Sequence, residues 1–239
     1  MIKKIKNKFS LLNKIATKIE HNSIIVGENI AATQVYSLLN DVSYMPISKS
    51  SLNFTSMAIL LNDIVINDRK LIVEFGSGIS TILIAQLIKK IKLEGVKLIS
   101  VEHNTEWLQV VDSLLKSNSL DGIVELVYSP LVENEMSLDN TKWYSTEPIL
   151  LKIKENKNKV DCVLVDGPEA WYDEISRSRY PALPFIIDYL GDNSILFLDD
   201  TNRKGEIDIL KKWEQYEMRE IRFSNSFSGV VKGQIFNIS

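Results

Sequence analysis

Two carboxylates that sit at the ends of apolar runs, with a pair of glycines between them, are the residues of this chain best suited to chemistry. The first run reads Leu71-Ile-Val-Glu74-Phe-Gly76-Ser77-Gly78-Ile-Ser80-Thr81, and the second, Lys97-Leu-Ile-Ser-Val, ends in Glu102. An ionised carboxylate is a two-oxygen acceptor, so Glu102 can take both hydroxyls of a ribose diol. Gly76 and Gly78 remove Cβ atoms where the chain must turn sharply and lie against a ligand. The pattern is that of a nucleoside-containing cofactor site. A dinucleotide fingerprint needs a third glycine three residues after the second, and Thr81 stands there instead.

Further acids close later apolar runs. Ligands of open α/β sheets bind outside the carboxyl ends of the strands, and those ends here are Glu74, Glu102, Ser129-Pro130, Asp166 and Asp199-Asp200. One acid at a strand end is as often a cap or turn former, but two adjacent inner strands both end in aspartate. Asp166, Asp199 and Asp200 can bind a hard divalent cation such as Mg²⁺, which prefers oxygen ligands. Alternatively one of the pair Asp166 and Asp200 acts as general base on a hydroxyl. With water near ~15.7 and aspartate near ~3.9, full proton transfer before attack costs roughly 16 kcal/mol. A bare aspartate must therefore act in concert with the bond-forming step, or a cation must acidify the hydroxyl. Arg177, Arg179 and Arg203 either bind an anionic acceptor or neutralise the aspartates. Trp143-Tyr144 and Trp171-Tyr172 read as loop aromatics that stack on a ring or close the surface.

These residues need a scaffold that presents strand ends side by side. Leu71–Val73 is short, β-rich and unbroken by polar residues, as in a strand buried in a parallel sheet. Further strands are predicted at Lys97–Glu102, Ile123–Val127, Val160–Val165, Ile195–Leu198, Glu220–Phe223 and Val230–Ile238. Helices are predicted at Thr81–Lys92, Glu106–Lys116, Leu183–Leu190 and Glu206–Gln215, with another from a Ser50 or Ser51 cap to Ile64. The alternation gives an α/β, doubly wound, mostly parallel seven-stranded sheet. The short link Ser-Asn-Ser-Phe-Ser-Gly before the last strand suits a hairpin, hence a terminal antiparallel strand.

With Glu74-Phe-Gly76-Ser-Gly78-Ile-Ser80, the chain resembles the class I S-adenosylmethionine-dependent methyltransferases. Val165-Asp-Gly-Pro-Glu, Ser178-Arg-Tyr-Pro-Ala-Leu and Leu198-Asp-Asp-Thr-Asn-Arg-Lys-Gly-Glu206 look like a bacterial branch of that family acting on small molecules or glycans. The resemblance covers roughly residues 50–239 and implies the methyltransferase variant of the Rossmann-like fold. It implies that Glu74 holds the amino acid end of S-adenosylmethionine and that the loop with Gly76, Ser77, Gly78, Ser80 and Thr81 faces its methionine and ribose. Glu102 would hold the ribose hydroxyls, with Pro130 and His103 at the adenine and Asp166 at both cofactor and acceptor. Metal-dependent enzymes similar to catechol O-methyltransferase place ligands at the same two strand ends, though Asp200 stands where that type has asparagine. The implied reaction is methyl transfer, at oxygen. The alternatives are an NAD-dependent oxidoreductase, an aminopropyl transferase, or a non-catalytic scaffold.

Composition frames the rest. The 239 residues suit one large domain with an appendage: residues 1–50 as an accessory helical segment, residues 51–239 as the cofactor domain. A net charge of −3 argues against a nucleic-acid partner. Cys162 is the only cysteine, and no apolar run spans a bilayer. The expected location is therefore the cytoplasm. Residues 1–20 carry six lysines against Glu20 alone, interleaved with apolar residues as in a basic amphipathic helix. Such a helix packs on its own domain, on a second copy in a homodimer, or on a membrane surface.

Overall fold

The computed structural model describes residues 2–40, 42, 46–48 and 50–237. Strands and helices alternate through the chain: α1 (Ile2–Leu39), α2 (Phe54–Ile66), β1 (Leu71–Phe75), α3 (Ile79–Lys90), β2 (Lys97–Glu102), α4 (Thr105–Ser117) and β3 (Val124–Tyr128). After a small hairpin, β4 (Leu131–Glu133) and β5 (Lys142–Tyr144), follow α5 (Thr146–Glu155), β6 (Val160–Val165), α6 (Ala182–Ile186), β7 (Leu190–Asp199) and α7 (Lys204–Trp213). The chain closes with β8 (Arg219–Arg222) and β9 (Phe227–Lys232).

The main sheet has seven strands in the order β3-β2-β1-β6-β7-β9-β8. Pairings from β3 through β7 are parallel, and β9 runs antiparallel to both β7 and β8. Every residue of β1 is buried, because both faces of a central parallel strand are covered. Ile72, Leu98, Leu164 and Phe197 face α1, α2, α3 and α4. Val73, Val101, Val165 and Leu198 face α5, α6 and α7. The expected α/β fold with its final antiparallel strand is the one observed.

Several boundaries differ from the sequence reading. Asn53, rather than Ser50 or Ser51, caps α2, accepting the Ser56 N–H at 2.8 Å. The helix predicted over Leu183–Leu190 is α6 plus a 3-10 turn over Ile187–Tyr189. β9 ends at Lys232, followed by Gly233 at φ +72°, so the strand predicted to Ile238 stops early; Ile238 lies outside the described residues. Trp143 and Tyr144 stand in β5 and are fully buried rather than in an open loop.

Helix α1 joins the body through its second half, where Ala31, Val35 and Leu38 are buried. Glu28 accepts the N–H groups of Phe54 (2.6 Å) and Thr55 (3.0 Å). Its charge thus lies at the positive end of α2. Leu12, Ile15, Ile19 and Val26 are exposed on α1. The side chains of residues 2–11 and 20, which carry most of the expected basic amphipathic pattern, lie outside the description. Among the described residues no helix is long and apolar enough to cross a membrane.

One contact fixes how the last helix meets the site. A Cβ on Gly205, in the first turn of α7, would lie 2.1 Å from the Ser176 carbonyl oxygen. Backbone must move to admit it. Gly205→Ala is expected to destabilise the protein by about 3 kcal/mol, the upper end for overpacking. At this chain length that is a fall in Tm of about 6–12 °C. Thermal unfolding followed by circular dichroism checks it; an unchanged Tm would mean that α7 does not seat on the Ser176 segment.

Candidate functional site

The loop after β1 is shaped by its own sequence. Gly76 has φ +96°, and a Cβ there would sit 2.8 Å from the Gly167 amide nitrogen, so the loops after β1 and β6 press against each other. Gly78 is extended at φ −176°. No described atom lies within 4 Å of where its Cβ would be; its open side is the cavity. Thr81, where a dinucleotide fingerprint would have glycine, does work that glycine cannot. Its hydroxyl accepts the Gly78 N–H at 2.9 Å and donates to Glu74 Oε2 at 2.5 Å.

Glu74 is fully buried beneath this loop. Its Oε2 also accepts from Ser100 Oγ at 2.6 Å, whereas Oε1 has no partner among the described residues. Burial pushes its carboxyl up to about 7, against the pull of the hydroxyls bonded to it. Ser77 is tied down through Oγ to Ser100 (2.8 Å) and through its carbonyl to the indole N–H of Trp107 on α4 (2.8 Å).

Glu102 ends β2 with its two oxygens differently employed. Oε1 accepts the N–H groups of His103 (2.7 Å) and Asn104 (2.8 Å). Oε2 accepts only the Ser77 N–H at 3.2 Å, which leaves it capacity toward the cavity. His103 Nδ1 lies 3.0 Å from Oε1, and this carboxylate raises the imidazole's pKa.

The glycine loop, Glu102, His103 and Trp107 line one cavity of about 390 Å³, the size of a small-ligand site. Its far wall is acidic. Asp166 at the end of β6 and Asp199 and Asp200 at the end of β7 bring carboxylate oxygens within 4.8 Å of one another. Burial and the neighbouring Asp199 hold the Asp166 carboxyl well above the usual range, with Arg179 pulling it down. Burial, then Asp200, pushes Asp199 up to about 7.

Arg179 lies in the middle of this group, 3% exposed. Its Nη1 is 3.0 Å from Asp200 Oδ2 and its Nη2 3.6 Å from Asp166 Oδ1. Arg203 Nη2 takes the other Asp200 oxygen at 2.7 Å, and its guanidinium stacks 4.4 Å above the Trp171 ring. Behind both guanidiniums lies Glu206, fully buried, its Oε1 3.8 Å from Arg179 Nη1 and 3.9 Å from Arg203 Nη1. Burial raises Glu206 to about 7.

These residues do not fit Mg²⁺ as they stand. Both Asp200 oxygens are engaged by guanidiniums. A metal bound to Oδ2 at the usual ~2.1 Å would lie within about 5 Å of Arg179 Nη1. At an effective dielectric of 20 the repulsion is about 7 kcal/mol for a divalent ion.

Of the residues singled out in the sequence, Gly76, Ser77, Gly78, Ser80, Glu102, His103, Asp166, Asp199 and Asp200 all line the cavity. Glu74 and Thr81 support the loop from beneath, and Pro130 is not part of the lining. Arg177 is elsewhere, paired with Asp139 and Asp208. Arg179 and Arg203 are engaged by acids, as the neutralising alternative expects. Sequence reasoning missed Trp107; Tyr144, read there as a loop aromatic, and the segment around Ser48 and Ser51 also form part of the wall. For Trp107 a signal existed: Asn104-x-x-Trp107 is a helix start, and Asn104 Oδ1 does accept the Trp107 N–H.

Comparison with known proteins places the chain by family and by fold. Residues 73–201 match a family model described as a methyltransferase domain. No curated protein matches the chain in sequence. Among solved structures it is similar to an O-methyltransferase from Bacillus cereus in complex with SAH, at TM-score 0.53 and 14% identity over 87% of this chain and 91% of that one. An SAH-bound Podospora anserina methyltransferase gives TM-score 0.53 and 14% identity over 85% and 95%. The O-methyltransferase TomG of Streptomyces achromogenes, involved in tomaymycin synthesis and in complex with SAM, gives TM-score 0.52 and 12% identity over 85% and 90%.

Proposed function

The chain belongs to the methyltransferase-domain family, and from that premise we propose that it transfers a methyl group from S-adenosylmethionine to an oxygen of a small-molecule or glycan acceptor. The observation that carries this reading is the cavity between the glycine loop and the acidic strand ends, with a Glu102 oxygen that bonds only the Ser77 N–H and keeps acceptor capacity toward it. The open side of Gly78 gives room for the cofactor's backbone-hugging part, and Glu74 Oε1, buried without a partner among the described residues, suits a water or ammonium donor. Five carboxylates and two guanidiniums line the cavity, a balance that attracts a sulfonium and repels the diphosphate of NAD. That balance also separates this reading from the oxidoreductase alternative.

When bound, S-adenosylmethionine supplies a methyl group on a positively charged sulfur, which an acceptor oxygen displaces as the carbon–sulfur bond breaks. The chain's own part is alignment and removal of one proton. Asp166 accepts the hydroxyl proton as the new carbon–oxygen bond forms. Its raised pKa narrows the gap to the hydroxyl, each unit being worth about 1.36 kcal/mol. Arg179 keeps it ionisable, and Asp199 and Asp200 complete the acidic wall. Trp171, half exposed beside Arg203, offers a face on which a sugar or aromatic ring can stack. O-methyltransferases recur among the structural neighbours, which supports oxygen as the acceptor atom. The buried, unpaired Cys162 supports a reducing cytoplasm.

Calorimetric titration with S-adenosylhomocysteine, alongside NAD, tests the reading. Saturable binding of the thioether nucleoside and none of NAD is the expected result. Binding of NAD alone would return the oxidoreductase alternative, and binding of neither would favour the scaffold.

A further inference from the structure

We infer that Arg179 is the resident cation of this site, its guanidinium holding the place between the ends of β6 and β7 that a divalent metal would need. The inference rests on the methyltransferase reading only for what the carboxylates do to a substrate. The geometry stands by itself.

Arg179 is held by acceptors that do not titrate. Its Nε donates to the Pro168 carbonyl at 3.1 Å, its Nη2 to the Asp166 carbonyl at 2.5 Å and its Nη1 to the Asp199 carbonyl at 3.5 Å. These carbonyls come from both strand ends. A planar fork with five donors can bridge acceptors spread over two strands, whereas Mg²⁺ demands near-octahedral oxygens at 2.0–2.1 Å. The same guanidinium reaches the side chains of Asp200 (3.0 Å) and Asp166 (3.6 Å).

Charge gives the arrangement its sense. Asp166, Asp199, Asp200 and Glu206 form a group of four acids, and removing Arg179 would leave Arg203 alone against them. Glu206 has no hydrogen-bond partner for either oxygen among the described residues, and its nearest cations are Arg179 and Arg203. It is thereby placed to hold the guanidiniums from behind. Arg179 is then a positioning residue: it fixes the direction of the Asp166 and Asp200 carboxylates and supplies their counter-charge. On this view the three aspartates form a latent metal site that an arginine has already filled.

The test uses the full chain, with Mn²⁺ as a spectroscopic probe and S-adenosylhomocysteine as a separate one. Wild type is expected to leave the Mn²⁺ electron paramagnetic resonance signal that of the free ion. Its affinity for S-adenosylhomocysteine should be the same in excess EDTA and in millimolar Mg²⁺. Arg179→Met should gain saturable Mn²⁺ binding, lost again when Asp200→Asn is added. Arg179→Lys, which keeps a cation, should gain none. Saturable Mn²⁺ binding by the wild type overturns the inference, and so does a folded Arg179→Met that binds no Mn²⁺. If Arg179→Met does not fold, the wild type and Arg179→Lys decide: binding by either overturns the inference, and silence in both supports it. Failure of wild type to bind S-adenosylhomocysteine counts against the methyltransferase reading alone, since the Mn²⁺ arm is read without cofactor.

Discussion

Asp166→Asn is expected to lower kcat by about 10²- to 10⁴-fold, the contribution of a positioned general base. The substitution keeps size and hydrogen-bonding shape but removes the basic oxygen. Its effect should therefore fall on kcat, with little change in the affinity for S-adenosylhomocysteine. The pH dependence follows from the direction of the Asp166 shift. A base works only when ionised, so a carboxyl raised by burial and by Asp199 is protonated and idle at pH values where an ordinary aspartate is already charged. The rate should climb with pH through a limb displaced well above the ordinary carboxylate range, then level off. The Asn variant should lose this limb. Steady-state rates against pH for the two proteins check it once an acceptor is in hand. If Asp166→Asn keeps a tenth or more of wild-type kcat, the base lies elsewhere, with Asp199 next in reach.

The same residue shows why some of the site could be read in the sequence and some could not. Asp166, Glu102 and the glycines are legible because each is local to a strand end: an apolar run stops, and the next residue faces the cavity. Arg179 and Glu206 are not local in this sense. Their roles arise only when the sheet sets β6 beside β7 and α7 folds back through Gly205. The motif around them was visible, but not the direction in which it pointed. Thr81 counted as a departure from a glycine pattern, and the structure gives it a positive task, joining Gly78 to Glu74. The small hairpin of β4 and β5 has strands of three residues, too short to show a period. Its aromatics therefore looked like loop residues, although Trp143 and Tyr144 pack on Phe75 at 5.1 and 5.9 Å. The fold itself was legible because strands buried on both faces are apolar throughout; α3 carries a similar run, Ile82-Leu83-Ile84-Ala85, and is told apart by its length and its lysine-rich last turn. Strand lengths were harder: Gly191-Asp-Asn looks like a turn, but β7 runs through it.

Glu102→Ala should weaken S-adenosylhomocysteine binding by about 10- to 100-fold. The argument runs through the two oxygens. Oε2, with one N–H partner, is the acceptor available to a ribose diol, and hydrogen bonds to a charged acceptor are worth about 1.5–3 kcal/mol each. Three of the carboxylate's roughly four acceptor sites are taken by the N–H groups of His103, Asn104 and Ser77, so one such bond is lost, about 1.5–3 kcal/mol, which at 1.4 kcal/mol per decade is about 10- to 100-fold. Oε1 has a different task, since it accepts the N–H groups of His103 and Asn104 at the start of α4. The alanine variant should therefore also lose some stability without ligand. Two measurements separate the roles. Calorimetry reads the affinity, and the ligand-induced rise in Tm, which grows as RT ln(1 + [L]/Kd), reads binding against each protein's own baseline. A lower baseline Tm together with a vanished ligand shift is the expected pair. A lower baseline with the full ligand shift would confine Glu102 to holding the turn and would move the ribose to another part of the cavity.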